Sequence, residues 1–103
     1  MVGEPREADI QRSILDYLHA KRILCWKAGT GAFKVGDRFV RMGQPGVSDI
    51  IGCLPSGKFL AIEVKRPGNQ PTPEQARFIA DVIRNGGVAL VARSIDDVVK
   101  EGI

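Results

Sequence analysis

The chain has 103 residues, of which 26% are charged and 44% hydrophobic, with a formal net charge of +3 and a pI near 9.1. That size suits one globular domain spanning residues 1–103, with a modest core and no room for a second. The mild basicity favours an anionic partner without specifying it. No apolar run approaches the length of a membrane span, and the N-terminus MVGEPREAD lacks a signal-peptide core. Cys25 and Cys53 have no framework spacing and read as reduced core residues, not as a disulfide or a zinc site. Together these features point to a cytoplasmic protein.

Residues 1–6 read as a loose leader. A helix is expected from Glu7 to Lys21, because Ile10, Ile14, Tyr17 and Leu18 form one apolar stripe. Glu7 sits at the top of that stripe, pointing toward the sheet end, or it serves only the helix dipole. Glu4 and Asp9 are weaker acidic candidates, and His19 reads as an unpaired surface residue. Arg22 to Lys27 reads as the first strand, with Trp26 packed in the core. Two glycine turns follow, with short strands around Phe33 and Phe39. Lys27, Lys34, Arg38 and Arg41 face a single Asp37 in this segment. That is the composition of a basic hairpin touching a phosphate backbone, or of an ordinary solvated hairpin.

The chain is organised around Gly46 to Lys65, GVSDIIGCLPSGKFLAIEVK. Pro55 suits the second position of a type I turn, and Gly57 suits the left-handed residue that closes a three-residue hairpin loop. With Leu54 opposite Lys58, the residue opposite Asp49 is Glu63, and Lys65 lies on the same face. A two-residue turn would shift the pairing by one and turn Asp49 away from Glu63. The strands are apolar on both faces, so this pair is expected at the centre of the sheet. Two buried carboxylates repel unless one is protonated or a cation lies between them. A hard divalent ion such as Mg²⁺ fits that need. The plain alternative is a salt-bridged strand end.

After the strands, Arg66 to Pro71 is a polar loop. Thr72, Pro73 and Gln75 form a capping box, so Gln75 is either a cap or an active-site residue. A helix continues through Ala76, Ile79 and Ile83 on one face and stops at Gly86-Gly87. Val88 to Ala92 is an apolar strand, and Ser94 caps a last short helix. The whole order predicts an α/β three-layer fold, a mixed central sheet flanked by helices.

An Asp on one strand followed by Glu-x-Lys on the next resembles the PD-(D/E)xK nuclease superfamily. Gly46-Val47-Ser48-Asp49 is similar to the G-x-x-D of its VRR-NUC family, the virus-type replication-repair nucleases. Glu7 with Ile10-Gln11, Trp26 before Thr30-Gly31, and Thr72-Pro73-Glu74-Gln75 agree with that family. The likeness runs from about Glu7 to Val99, as in a stand-alone, phage-type member. Ser48 stands where the wider superfamily has proline.

The resemblance implies a nuclease-like core and Mg²⁺- or Mn²⁺-dependent hydrolysis of DNA in a bacterial or phage-infected cell. Asp49, Glu63 and the Val64 carbonyl would hold the metal. Glu7 would bind a second metal or orient water, and Gln75 would join the active site. Lys65 would position water and stabilise charge, because two neighbouring carboxylates favour its charged form. Lys27, Lys34, Arg38, Arg41 and Arg66 would contact DNA. Family members of this size resemble homodimers acting on branched DNA, especially four-way (Holliday) junctions. Three other readings compete: a non-catalytic nucleic-acid-binding module on the same fold, a restriction-type endonuclease, and an interaction protein whose hairpin charges are merely paired.

Overall fold

The structure is a computed structural model. It describes residues 5–28, 32–41 and 44–103, and for 32–34 and 39–41 only their backbone. Expectations for residues 1–4, for the Gly29-Thr30-Gly31 turn and for the Lys34 and Arg41 side chains lie outside the described residues.

Helix α1 (Glu7–Ala20) buries Ile10, Ile14 and Leu18, the stripe its sequence spacing requires. Strand β1 (Leu24–Lys27) follows, then the hairpin β2 (Ala32–Val35) and β3 (Arg38–Arg41). Next come β4 (Ile50–Cys53), β5 (Phe59–Val64), α2 (Pro73–Arg84), β6 (Val88–Ala92) and α3 (Ile95–Lys100). The main sheet has the order β1-β4-β5-β6, antiparallel except for the parallel β5–β6 pair. The hairpin β2–β3 forms its own two-stranded sheet, with Val35 opposite Arg38.

Side-chain alternation sorts the core into two layers. Ile50, Leu60, Ile62, Val64, Leu90 and Ala92 pack with α1 and with Val98 of α3. Ile51 and Ala61 pack on the other face with Val82 and Phe78 of α2. Three layers result, with β4 and β5 buried at the centre, as a near-continuous apolar strand pair should be.

The β4–β5 loop is the three-residue type. Leu54 N–H donates to Lys58 O at 2.9 Å, Gly57 N–H donates to Leu54 O at 2.8 Å, and Gly57 has φ +90°. Ile50 pairs with Ile62 and Cys53 with Phe59, so the same register continues to place Asp49 opposite Glu63.

Several local expectations are corrected. The first strand begins at Leu24, not Arg22, because Arg22 takes φ +60° in the turn that closes α1, where Ile23 N–H donates to Leu18 O. Trp26 is 51% exposed and not a core residue: β1 is an edge strand, and α2 lies over β5 and β6. Cys53 is exposed for a related reason, at the hairpin end, while Cys25 is buried; both are free thiols. His19 has a partner, since its Nε2 lies 3.0 Å from Cys25 O.

On α2 the buried residue is Val82, with Phe78 packed beside it, while Ala76 and Ile83 are exposed. The helix carries two apolar stripes, and its rotational phase is set at its first turn. There Gly46, at φ +76°, lies so close to Glu74 that a Cβ would strike its backbone carbonyl. Ser94 takes the N-cap backbone position of α3, but its side chain makes no capping bond. Asp97 instead accepts from the Arg93 N–H at 2.8 Å.

Gly46→Ala is expected to destabilise the protein by about 2–4 kcal/mol through backbone strain plus collision with Glu74. Gly57→Ala, facing open space, should cost only about 1–2 kcal/mol. Urea unfolding of the two variants measures the difference.

Candidate active site

The register of the central hairpin delivers the chemistry. Odd-numbered residues of β5 face α2, so Glu63 rises from the same face as Ala61, and Asp49 from the same face as Ile51. Asp49 sits just before β4, where its carbonyl accepts from Ala28 N–H at 2.8 Å. Its Oδ2 accepts from Val64 N–H, also at 2.8 Å, which ties the carboxylate to the end of β5. Glu63 is 1% exposed. Among the described residues no donor reaches its buried Oε1. Lys65 Nζ stands 3.8 Å from Glu63 Oε2, a loose pair that leaves the ammonium available to another anion.

The electrostatics follow from that crowding. Burial first, then the hydrogen bond and repulsion from Asp49, push the Glu63 carboxyl up to about 8; Lys65 pulls it down and Glu7 adds a smaller push upward. Without a cation the pair therefore shares a proton at neutral pH. The donor set fits a hard divalent ion: two converging carboxylates, one with an oxygen that no group among the described residues satisfies, beside the backbone end of β5. Among the described residues no three His, Cys, Asp or Glu side chains gather closely enough to hold an ion. Further donors would be a backbone carbonyl, water and substrate oxygen.

The other site expectations divide. Glu7, at the start of α1, lies near enough to be felt by Glu63. Gln75 closes the capping box: Thr72 Oγ1 accepts from Gln75 N–H at 3.2 Å, and Gln75 Oε1 accepts from Thr72 N–H at 2.8 Å. Its carbonyl oxygen thus holds the first turn of α2 in place against Gly46. Lys27 and Arg38 are exposed, and Arg66 is half-buried just beyond Lys65. Ser48, in the proline position of the wider superfamily, is 1% exposed, and its Oγ has no partner among the described residues. Its burial was not foreseen; strand alternation next to Asp49 is the signal that carries it.

A mixed sheet sandwiched by helices, with an Asp, a Glu and a Lys gathered at the end of its central strands, defines a nuclease-type domain of the PD-(D/E)xK kind. The chain belongs to the VRR-NUC family, whose domain model matches residues 2–96. It is 41% identical over 62 residues to "Putative nuclease p44" of Acyrthosiphon pisum secondary endosymbiont phage 1, a match covering 60% of this chain and 67% of that protein. A solved VRR_NUC domain superposes with a TM-score of 0.65 at 24% identity, covering 91% of this chain and 90% of the other, which shows the shared fold.

The raised Glu63 pKa predicts a pH signature. The folded chain keeps this proton between its ordinary value of 4.5 and about 8, whereas the unfolded chain releases it. Folding is therefore favoured at the lower end and weakened as pH rises through that window. In a chelator, thermal melting across the window should show this falling slope, and Glu63→Gln should flatten it. Adding Mg²⁺ near pH 8 should raise the wild-type melting temperature and leave the Gln variant nearly unmoved.

Proposed function

We propose that this protein is a Mg²⁺- or Mn²⁺-dependent, structure-selective endonuclease that hydrolyses phosphodiester bonds in branched DNA. The observation that carries the reading is the Asp49–Glu63 pair, whose buried Glu63 Oε1 lacks a donor among the described residues, with Lys65 beside it. A purely structural ion pair has no use for two carboxylates pressed together. Nor does a binding module that must approach phosphate, since both would repel it.

Asp49, Glu63 and the Val64 carbonyl would hold the metal. When bound, it would activate water and neutralise charge on the phosphate. Asp49 is held in place by the Val64 amide, so the acceptor geometry exists before substrate arrives. Lys65 places a positive charge at the strand end, where it orients the attacking water and offsets negative charge developing on the phosphate. Glu7 acts from the first turn of α1, orienting water or holding a second ion. Gln75 acts as a positioning residue through its cap. Lys27, Lys34, Arg38, Arg41 and Arg66 take the flanking phosphates, which fix the register of DNA without reading its sequence.

One such site cuts one strand, and paired cuts at a four-way junction call for two sites. A two-fold homodimer would supply them. The cytoplasm of a bacterial or phage-infected cell is the corresponding place of action. The relative from a phage and the lack, among the described residues, of any helix long and apolar enough to cross a membrane support that placement.

Cleavage of a panel of junction, flap, splayed-arm, duplex and single-stranded DNA with Mg²⁺ and Mn²⁺ tests the reading. Asp49→Ala, Glu63→Ala and Lys65→Ala should each lower the rate by at least about 100-fold, the scale of removing one preorganised charge-stabilising group. Full activity in either carboxylate variant would eliminate this site, and a monomer by light scattering at working concentration would eliminate the paired-cut version.

A further inference from the structure

The sheet face that carries the two carboxylates is only partly roofed. Helix α2 lies over β5 and β6 and makes no comparable contact with β1, at the other end of that face. There Trp26 is 51% exposed. It pairs with Ile51, two residues from Asp49, and Ala28, two residues beyond Trp26, donates its N–H to the Asp49 carbonyl. Indole and carboxylates therefore emerge from one face of the sheet. One strand across and two residues along puts the Cα atoms of Trp26 and Asp49 about 8 Å apart. Lys27, the next residue and also exposed, alternates to the other face of the sheet.

Single exposed apolar side chains are ordinary. What sets Trp26 apart is where it stands: a rigid aromatic plane one short step from the candidate cleavage centre, on the face from which both carboxylates rise. We propose that Trp26 is a stacking platform for an unpaired nucleobase next to the phosphate being cut, a specificity-determining residue of the hydrolysis inferred above, on which this assignment rests. Every base offers a π-face, so such a platform is indifferent to sequence but demands a base that has left its stack. In intact duplex the bases are stacked on one another, and reaching the platform costs unstacking; at a branch point, flap or splayed end that cost is lowest. The selection is for open structure, made by the indole and not by base-edge contacts.

Trp26 is the one tryptophan in the chain, so its emission reports on this position alone. The cleavage-deficient Asp49→Ala protein is titrated in Mg²⁺ with oligothymidylate, a splayed-arm duplex and a blunt hairpin duplex, and binding is followed in parallel by anisotropy of a labelled strand. Saturable quenching by the two open substrates, with little by the blunt duplex, is the expected result. In the same background Trp26→Ala should bind oligothymidylate about 5- to 100-fold more weakly, and Trp26→Phe should recover part of the loss. In the wild-type background Trp26→Ala should discriminate less between open and duplex substrates across the panel.

Binding seen by anisotropy without a change in emission would overturn the platform. So would emission that varies with protein concentration in the absence of DNA, combined with a smaller mass for Trp26→Ala in light scattering; that outcome assigns the indole to contact with a second copy. The two inferences fail separately. Quenching by open strands in a wild type that cuts nothing removes the hydrolysis and keeps the platform, while cutting without quenching removes the platform alone.

Discussion

Everything at the candidate site depends on one closed loop of hydrogen bonds at the tip of the central hairpin. Leu54 and Lys58 are joined across a three-residue turn that Gly57 closes at φ +90°. That junction lies at the opposite end of the strand pair from Asp49 and Glu63, yet it dictates that these two carboxylates share a face. The strand period is two residues, so a slip of one would leave the same sequence with its acids on opposite sides of the sheet. The burial of Ile50, Ile62 and Val64 against α1 locks the register, because any slip would turn these residues out of the core.

The same sheet explains why the acidic pair is under tension. Central strands covered on both faces give a dry setting for side chains that prefer water. The fold does not relieve this. It brings the Val64 amide to Asp49, leaves one Glu63 oxygen without a donor among the described residues, and keeps Lys65 at 3.8 Å. The result is a place where a proton or a divalent ion lowers the free energy of the native state, so the same burial that weakens the apo protein at higher pH favours binding of a cation. Helix α2 completes the arrangement from outside, its Thr72–Gln75 cap pressed against the Gly46 segment that leads into Asp49.

How much of this was readable in the chain follows from how local each signal is. The hairpin turn, the capping box at Thr72 and the α1 stripe are written within a few residues, and each appears in the structure as read. The exposure of Trp26, the buried face of α2 and the outward Cys53 depend on which strand lies at the edge and where a helix comes to rest. Local periodicity carries neither. Trp26 and Leu24 have strand-like apolar surroundings whether or not a helix covers them, and α2 offers two apolar stripes of similar quality. His19 and Ser94 failed for a third reason: a side chain's choice between a distant carbonyl, its own backbone and solvent is settled by tertiary placement.

The contact between His19 and Cys25 bears on how this sheet ends. Ala28 bonds to Asp49, so alternate residues of β1 are engaged with β4, and Cys25, between them, turns its peptide groups outward to the rim. An open rim is a template on which a foreign strand can nucleate. The imidazole of His19 already occupies the outward carbonyl of Cys25, so an incoming strand would have to displace it before the ladder could grow. One of the acceptors on that rim is thus already taken by a side chain of the same chain.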